Sequence, residues 1–468
     1  MYPSKEISSF RDQSGFVFYG ENQVFRAIHT SYQAQYQALL TSGLYDSLVE
    51  KRFLIEHQEL KQEHWPALPD LPAAGDRQVV ALLEVPRLPF ISYPYEWCFQ
   101  QLKDAALLTL DIQLLALQHG MTLKDASAFN VQFRGTHPLF IDTLSFDFYE
   151  AGKPWVAYRQ FCTHFLAPLA LMAHAGPELH RLNQLYIDGI PLTLASKLLP
   201  WKTKFSPFLL AHIHYHARLE SRYAADSQAS QKVRGQLSKS RLIAIVQHLK
   251  SGIESLMMPV SKSEWGDYYQ EFSYSDEAIA HKKSLVKEWA TLAKPRLTWD
   301  LGCNVGLFSR LVGDVSGQVT AFDIDHLAIE KFYLSLKQNP AGNILPLVLD
   351  LSNPTPAIGW ANRERQAFAE RGPADLVMAL ALIHHLALGN NVPFDQIAQL
   401  LSSVGRALII EFVPKNDPQS RRLLVTKADV FDEYNQAGFE RIFGQYFTIE
   451  KRETIRGTDR LLYFMQKQ

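Results

Sequence analysis

The sequence predicts an α/β protein: a doubly wound, mostly parallel sheet in the C-terminal part, preceded by an α+β domain. Five strand-like runs alternate with helix-like segments between residues 296 and 413, which is the pattern of parallel strands joined by crossover helices. A glycine turn follows the first run and leads at once into a helix-like segment. Two further strand-like runs, roughly 441–447 and 461–466, close the sheet as a hairpin. Ligands of such sheets bind at the C-terminal ends of the strands.

The composition fits a globular protein of two or three domains, since 468 residues are too many for one ordinary core. The formal net charge of -1 gives no signal for nucleic acid or for an anionic membrane, although local basic patches remain open. Cys98, Cys162 and Cys303 form no CxxC pair, which favours a reducing cytoplasm. The first residues lack the layout of a signal peptide, and no apolar run has the length of a membrane span. We therefore expect a cytoplasmic protein without a membrane span.

Residues 1–223 are predicted to form an α+β accessory domain. Strand-like runs and a helical run rich in Tyr, Gln and Leu precede a proline-rich stretch, 64–76, which predicts an exposed loop. Beyond this loop lie a strong strand candidate at 78–85 and a short one at 89–92. A long apolar helix is predicted at 97–119.

The boundary between the two parts is expected where the composition changes. Residues 224–232 are small, polar and unpatterned, as in a flexible linker, and 241–257 has the pattern of a helix. We therefore assign 224–264 to a linker and connecting helix, and 265–468 to the C-terminal domain. Aromatic residues from Trp265 to Tyr274 either close over a ligand or pack the first helix onto the sheet.

A short polar motif follows the long predicted helix of the N-terminal part. Asp125 and Asn130 form a D-x-x-x-x-N pattern, and Asp142 follows the next strand-like run. This order resembles the catalytic and metal-binding loops of the protein-kinase-like fold, and the resemblance implies that Asp125 orients an acceptor hydroxyl while Asn130 and Asp142 hold a metal. Leu123 stands where a catalytic-loop histidine is expected, and the glycine-rich phosphate loop is absent, so the scaffold would be degenerate. The alternative is that Asp125 and Asn130 cap a loop and Asp142 lies in a turn.

Three histidines alternate with other residues near the end of this part. His212, His214 and His216 are separated by Ile213 and Tyr215, and two of them share a helix face. Because no acidic residue or cysteine accompanies them, we expect a surface or partly packed helix there and predict no metal site.

The glycine turn carries the strongest chemical signal. It reads D-x-G-x-x-x-G from Asp300 to Gly306, with Asn304 where a dinucleotide-binding turn has its middle glycine. A carboxylate at the strand end disfavours a pyrophosphate and suits a ligand with an amino group and a cationic sulfur. Gly302 lets the backbone approach that ligand, and Cys303 is expected to contribute its backbone while its thiol stays buried and inert. The segment resembles motif I of the class I S-adenosylmethionine-dependent methyltransferases.

That resemblance covers about 265–468 and implies a seven-stranded Rossmann-like domain with S-adenosylmethionine as its cofactor. Asp323, which ends the second strand, would bind the ribose hydroxyls, and Asp350, which ends the third, would accept a hydrogen bond from the adenine amino group. The implied cofactor-binding set is Asp300, Gly302, Cys303, Asn304, Gly306, Asp323, Ile324, Asp350, Leu351 and Ala379. The segments W-x-D-Y-Y, D-L-G-C-N-x-G, I-H-H and E-F-V-P look most like bacterial methyltransferases related to a nodulation protein.

Catalysis by such a domain depends mainly on positioning and desolvation, because methyl transfer is an in-line displacement at an activated sulfonium. A hydroxyl acceptor must also lose its proton, which suits a histidine near neutral pH. His384 and His385 follow the fourth strand and Glu411 lies near the end of the fifth, so these three are the candidate catalytic residues. We expect one histidine to act as the base, His384 before His385. The alternative is that both only line or cap the adenosine pocket.

The predicted function is methylation of a small-molecule or natural-product-type acceptor, with residues 1–223 as a lid or partner surface. One alternative is a bifunctional protein whose kinase-like N-terminal half binds a nucleotide. Another is a non-catalytic scaffold that binds a partner. The sequence identifies neither the acceptor nor the methylated element, O, N or C, and it does not set the oligomeric state.

Overall fold

The computed structural model describes residues 4–20, 23–66, 68, 77–219, 237–259, 275–425, 430 and 432–468. The predicted linker at 224–232 and the aromatic residues from 265 to 274 lie outside these ranges, as does most of the proline-rich stretch. Within the described ranges, no helix combines the length and the apolar character that a membrane crossing needs.

The N-terminal part begins with a five-stranded antiparallel sheet in the order β1-β2-β3-β5-β4. Its elements are β1 Ser4–Lys5, β2 Gly15–Tyr19, β3 Val24–His29, α1 Gln33–Thr41, α2 Leu44–Glu50, β4 Gln58–Glu59 and β5 Val79–Val85. Phe16, Phe18 and Phe25 are buried together in one apolar cluster of this sheet. Tyr32 and Tyr36 belong to a second cluster with residues of β3 and β5, so apolar burial holds α1 against the sheet.

A long helix and two small two-stranded sheets follow, and then a group of short helices. The elements are α3 Phe99–Gln118, β6 Met121–Leu123, β7 Val131–Arg134, β8 His137–Phe140, β9 Phe146–Phe148, α4 Tyr158–Phe161, α5 Ala167–His174, α6 Leu182–Leu185, α7 Leu192–Leu198, α8 Pro207–Leu209 and α9 Lys239–Ser255. Strand β6 pairs with β9, and β7 pairs with β8. Helix α9 packs along α3, and Lys250 reinforces that contact with an ion pair to Asp111.

The short strand predicted at 89–92 does not form, because a side chain takes the backbone hydrogen bonds of Ser92. The Gln132 amide oxygen accepts from Ser92 N at 2.9 Å, and its nitrogen donates to Ser92 O at 2.8 Å. Phe90 lies instead against Trp299 and Phe322 of the C-terminal sheet, with ring centroids 5.7 Å apart in both pairs.

The C-terminal part is a seven-stranded sheet in the order β12-β11-β10-β13-β14-β16-β15, with helices between its parallel strands. Its elements are α10 Asp276–Ala293, β10 Leu297–Leu301, α11 Leu307–Gly313, β11 Gln318–Asp323, α12 His326–Gln338, β12 Ile344–Val348, β13 Ala374–Ala379, α13 Phe394–Val404, β14 Gly405–Phe412, α14 Pro418–Leu424, α15 Gln436–Phe443, β15 Phe447–Thr454 and β16 Leu461–Lys467. Strands β10 to β14 are parallel, and β16 runs antiparallel to β14. The prediction of a doubly wound α/β sheet is confirmed.

The first strand of the closing hairpin lies later in the chain than predicted. The pattern predicts a strand at 441–447, whereas α15 occupies Gln436–Phe443 and β15 begins at Phe447. Asn435 accepts a hydrogen bond from Gly438 N at 2.9 Å, so it caps the N-terminus of α15. Residues 426–429 and 431 lie outside the described ranges.

The two parts share one apolar core, and buried polar contacts also connect them across their interface. Arg371 forms an ion pair with Glu96 at 2.5 Å, and both side chains are at most 2% exposed. Gln101 on α3 donates to Pro346 O on β12 at 3.0 Å, and Tyr333 on α12 donates to Thr136 O at 2.8 Å. Because α3 lies beside β12, the N-terminal part contacts the edge of the sheet that β12 forms.

Candidate functional site

A cleft of about 280 Å³ lies at the C-terminal ends of β10 to β13. The neighbours of β10 are β11 on one side and β13 on the other, so the chain order reverses there, and open α/β sheets bind ligands at such a position. The cleft is lined by Ile279, Lys282, Asp300, Gly302, Cys303, Asn304, Phe308, Asp323, Ile324, Leu349, Asp350, Leu351, Ser352, Leu380, Ala381, Leu382, His385, Leu386 and Asn390.

Most of the predicted cofactor residues line this one cleft. Asp300, Gly302, Cys303, Asn304, Asp323, Ile324, Asp350 and Leu351 are among the lining residues. Gly306 and Ala379 are not, although Ala379 directly precedes the lining residue Leu380. The sequence positions that are far apart along the chain are thus brought together by the parallel strands.

The glycine turn after β10 has the backbone that its residues predict. Gly302 and Gly306 have φ values of 79° and 78°, a region that glycine enters without steric cost. A Cβ on Gly306 would stand 2.0 Å from the ring of Phe332, so this glycine lets α11 approach α12. A Cβ on Gly302 would come within 3.3 Å of Leu382, across the cleft. Gly306 therefore serves packing, while Gly302 faces the cleft.

Two carboxyl groups of the cleft carry raised pKa values. Asp300 is 1% exposed and accepts a hydrogen bond from Ser309 Oγ at 2.5 Å, and burial raises the pKa of its carboxyl to about 7. Asp323 accepts from Asn304 N at 2.8 Å and from Asp325 N at 2.9 Å, and burial raises its pKa to about 6. Both groups would gain from a ligand that brings donors or positive charge to them. Burial also raises the pKa of the Cys303 thiol, which fits an inert side chain.

The histidines after β13 differ in their access to the cleft. His385 lines the cleft, whereas His384 is fully buried and neither of its ring nitrogens has a hydrogen-bond partner among the described residues. Their ring centroids are 4.1 Å apart. Burial, assisted by the charge of Arg460, lowers the pKa of His385 to about 4, so its imidazole is neutral at physiological pH. The geometry therefore favours His385 over His384, the reverse of the order expected from the sequence.

Glu411 does not reach the cleft. It is fully buried, accepts from Lys282 Nζ at 2.6 Å and forms an ion pair with Arg460 at 3.3 Å. Arg460 in turn pairs with Asp417 at 2.7 Å. The role of Glu411 in this structure is to hold Lys282, whose own side chain lines the cleft and lies 4.7 Å from the ring centroid of Phe308.

Lys282 and Arg181 are the ionisable residues at this site that the sequence analysis missed. Lys282 lies on the buried face of α10 among Ala278, Leu285 and Val286, and a charged residue in an otherwise apolar helix face was the available signal. Arg181, in the N-terminal part, forms an ion pair at 3.7 Å with Asp350 of the cleft. Arg181 and Asp350 are 169 residues apart in the chain (350 minus 181), so no local sequence pattern connects them.

A second contact from the N-terminal part lies close to the same edge. The rings of His180 and His326 meet edge to face at 4.3 Å, and His326 begins α12, shortly after Asp323. Burial lowers the pKa of His326 to about 4, with the Arg181 charge as the second cause. Residues 180 and 181 thus place the N-terminal part close to Asp350, the residue that is predicted to bind the adenine amino group.

The predicted polar motif of the N-terminal part is engaged internally. Asp142 forms an ion pair with Arg26 and accepts a hydrogen bond from Ser145 Oγ. Asn130 donates to Ser145 Oγ at 3.2 Å. Asp125 accepts from Ser127 N at 2.9 Å and from Gln160 Nε2 at 2.8 Å. These contacts are those of a capped loop and a turn.

Two of the three alternating histidines, His212 and His216, belong to one hydrogen-bonded cluster. His212 Nε2 and His248 Nδ1 are 2.8 Å apart, and the Tyr158 hydroxyl lies 2.6 Å from His212 Nδ1 and 3.1 Å from His216 Nε2. His214 contacts Ser196 and Thr203 instead. Among the described residues, no group of three or more acidic, histidine or cysteine side chains has the arrangement of a metal site.

Comparison with known proteins identifies a relative over nearly the whole chain. The chain is 34% identical over 470 aligned residues to the nodulation protein NoeA of Rhizobium meliloti (strain 1021), covering 99% of this chain and 96% of NoeA. No protein-family model matches.

Two solved structures overlap part of the chain. The N-methyltransferase NodS from Bradyrhizobium japonicum WM9 is 13% identical with a TM-score of 0.31, covering 41% of this chain and 98% of NodS. The magnesium protoporphyrin IX methyltransferase ChlM from Synechocystis PCC 6803, with bound SAH, is 17% identical with a TM-score of 0.31, covering 44% of this chain and 93% of ChlM. At these TM-scores, the overlaps are too partial to assign an activity.

Proposed function

The chain belongs to the family of the nodulation protein NoeA, and from that premise we propose that it is an S-adenosylmethionine-dependent methyltransferase with a small-molecule acceptor. The observation that carries the proposal is the convergence of Asp300, Asp323 and Asp350 on one cleft, each at or just beyond the end of a parallel strand. This arrangement provides separate acceptors for an amino group, a ribose and an adenine amino group.

The charge of the cleft supports this cofactor over a nucleotide diphosphate. A pyrophosphate would oppose the ionisation of Asp300 and Asp323, whereas a sulfonium and an ammonium group would favour their ionised forms. The raised pKa values of Asp300 and Asp323 identify the two buried carboxyls that would gain most from such a partner. Lys282 lines the same cleft while it is paired with Glu411, and we propose that its ammonium also donates to the carboxylate of the methionine end.

The bound cofactor would supply an activated methyl group, and the residues of the chain would orient the acceptor and exclude water. Leu380, Leu382 and Leu386 give the cleft apolar walls beside His385. The neutral imidazole of His385 can accept a proton from an acceptor hydroxyl or ammonium at one ring nitrogen. We therefore propose His385 as the base, with His384 packed behind it and Glu411 acting only through Lys282.

For the N-terminal part, we propose a kinase-like scaffold without phosphotransfer activity. The order of a long helix, a short strand, the loop with Asp125 and Asn130, a hairpin and Asp142 supports the likeness. The ion pair between Arg26 and Asp142 opposes metal binding, because the carboxylate that a metal would need is already compensated. Titration with MgATP tests this proposal, and binding that is lost in Asp142→Asn would contradict it.

A thermal-shift comparison tests the cofactor class. S-adenosylmethionine and S-adenosylhomocysteine are expected to raise the melting temperature, because a ligand at about 100 times its Kd stabilises by roughly 2.7 kcal/mol. NAD and ATP at the same concentration are expected to give no shift. Transfer of a labelled methyl group to a panel of small hydroxyl and amine acceptors then tests the reaction. A shift with NAD and none with S-adenosylhomocysteine would overturn the proposal.

A further inference from the structure

A cluster of exposed aromatic and basic side chains lies at the turn between α7 and α8, in the N-terminal part. Trp201 is 72% exposed and Phe205 is 75% exposed, and their rings meet edge to face with centroids 5.5 Å apart. We name the set of exposed side chains at this turn the 197–205 surface. Its members are Lys197, Leu198, Trp201, Lys202, Lys204 and Phe205.

The 197–205 surface belongs to a well-anchored turn. Residues Trp201–Phe205 form a 3-10 helix whose central residue, Thr203, is 3% exposed. The Thr203 hydroxyl donates to Pro200 O at 2.7 Å and lies 3.0 Å from His214 Nε2. The other nitrogen of His214 lies 2.8 Å from Ser196 Oγ, so the imidazole connects the turn to α7. Because Thr203 points inward, the aromatic and lysine side chains on either side of it point outward.

This surface is positively charged although the whole chain is nearly neutral. Residues 189–219 contain Lys197, Lys202, Lys204 and Arg218 and no Asp or Glu, in a chain whose formal net charge is -1. Within the part of the chain that the structure describes, none of the three lysines of the surface forms an ion pair. Their charge is therefore available to an anionic partner.

We propose that the 197–205 surface docks the protein on an anionic lipid bilayer. Tryptophan and phenylalanine favour the boundary between headgroups and acyl chains, where the ring is desolvated and the indole N–H stays hydrated. Lysines beside them meet the negative potential of the headgroups. A protein partner is the less favoured occupant, because the cores of protein interfaces are depleted in lysine. The inference is independent of the methyl-transfer proposal, since no residue of the 197–205 surface lines the cleft.

Co-sedimentation of the full chain with lipid vesicles tests the proposal. The protein is expected to bind vesicles that contain phosphatidylglycerol, to bind phosphatidylcholine vesicles more weakly, and to be released by added salt. Two double variants test the surface: Lys202→Glu/Lys204→Glu and Trp201→Ala/Phe205→Ala. Each is expected to bind the anionic vesicles at least about tenfold more weakly than the unaltered protein. Circular dichroism melts identify variants that have lost their fold.

A matched control separates docking from general hydrophobic adsorption. Trp360, in the C-terminal part, is 73% exposed, almost the same as Trp201. The Trp360→Ala variant is expected to bind anionic vesicles like the unaltered protein. The proposal is overturned if the unaltered protein does not bind anionic vesicles, if it binds neutral vesicles equally well, or if folded variants of the 197–205 surface bind as tightly as Trp360→Ala.

Discussion

Both parts of the chain place carboxylates at or close to the ends of strands, but they use them differently. In the C-terminal part, Asp300 and Asp323 line a cleft, and burial raises their pKa values to about 7 and about 6. In the N-terminal part, Asp142 is paired with Arg26 and bonded by Ser145. Of these three acidic residues, the two that line the cleft are thus the ones whose charge the fold leaves poorly compensated.

Glu411 gives the same contrast inside the C-terminal part. It lies near the end of a parallel strand as Asp300 does, yet Lys282 and Arg460 both approach its carboxylate and it does not line the cleft. The two cations around Glu411, more than its position in the sheet, thus separate it from Asp300.

The largest expected effect tests whether the two parts are energetically one unit. Replacing Arg371 by Leu leaves Glu96 fully buried without its cation, so we expect a loss of about 3–5 kcal/mol in the free energy of unfolding. Urea denaturation measures it. The Arg406→Leu variant breaks an ion pair with Asp375 in which Arg406 is 65% exposed, and it is expected to cost less than about 1 kcal/mol. Equal losses in the free energy of unfolding for the two variants would show that the buried ion pair between the two parts does not stabilise the protein.

The next effect compares the two neighbouring histidines. With a hydroxyl acceptor identified by the methyl-transfer screen, His385→Gln is expected to lower the transfer rate about 100-fold, because the proton acceptor is removed. Since burial lowers the pKa of His385 to about 4, the rate of the unaltered enzyme should not fall through titration of this group until the pH approaches that value. Rates of His385→Gln that match those of the unaltered enzyme would remove His385 from the mechanism.

His384→Gln provides the control for that comparison. His384 is fully buried and does not line the cleft, so this variant is expected to change stability while keeping the shape of the pH profile. A changed profile in His384→Gln, with none in His385→Gln, would restore the order expected from the sequence.

A stability measurement sharpens the contrast between Asp300 and Asp142. Folding raises the pKa of Asp300 from 3.8 to about 7, so the folded state binds this proton more tightly than the unfolded state. The contribution of Asp300 to stability therefore falls as the pH rises from about 4 to about 7 and stays low above that. At pH 8, Asp300→Asn is expected to raise the stability of the ligand-free protein by roughly 2 kcal/mol.

The opposite sign is expected in the N-terminal part. Asp142→Asn removes the partner of Arg26, so it should destabilise the protein by about 1–3 kcal/mol at the same pH. Denaturation of both variants across this pH range measures the contrast. If Asp300→Asn destabilises the ligand-free protein at pH 8 as Asp142→Asn does, the two carboxyls do not differ in the way that the geometry indicates.

The smallest effect concerns the contact that crosses from the N-terminal part to the cleft. Arg181 pairs with Asp350 at 3.7 Å and is 42% exposed, so Arg181→Ala is expected to weaken S-adenosylhomocysteine binding only about threefold. Binding of S-inosylhomocysteine should be less affected, because a carbonyl oxygen replaces the amino group that would donate to Asp350. Arg134→Ala is the control, since Arg134 is also 42% exposed and pairs with Glu56 within the N-terminal part. Equal effects of Arg181→Ala on both ligands would exclude a role through Asp350.

The sequence predicts the parts of this structure that depend on neighbouring residues. The turn from Asp300 to Gly306 needs only a strand, two glycines and a helix, and the structure contains each of them. Parallel strands that are covered on both faces appear in the sequence as apolar runs. Asp323 ends one such run and Asp350 closely follows another, so the sequence also predicts their place at the ends of strands. The whole-chain similarity to NoeA confirms the predicted relation to a nodulation protein.

Features that depend on tertiary contacts could not be predicted. The residues at 89–92 have a strand-like pattern, but Gln132 takes the hydrogen bonds of Ser92. Arg181 and Lys282 reach the site because distant elements pack together, and no sequence spacing records this. The different exposure of His384 and His385 likewise depends on how one turn is buried after β13.

Calorimetric titration with S-adenosylhomocysteine tests the central claim most directly. The unaltered protein is expected to bind in the micromolar range, Asp323→Asn is expected to bind at least about tenfold more weakly, and Asp142→Asn is expected to bind like the unaltered protein. This result would assign ligand binding to the cleft of the C-terminal part. Absence of binding to the unaltered protein, or a loss in Asp142→Asn that Asp323→Asn does not show, would contradict the account.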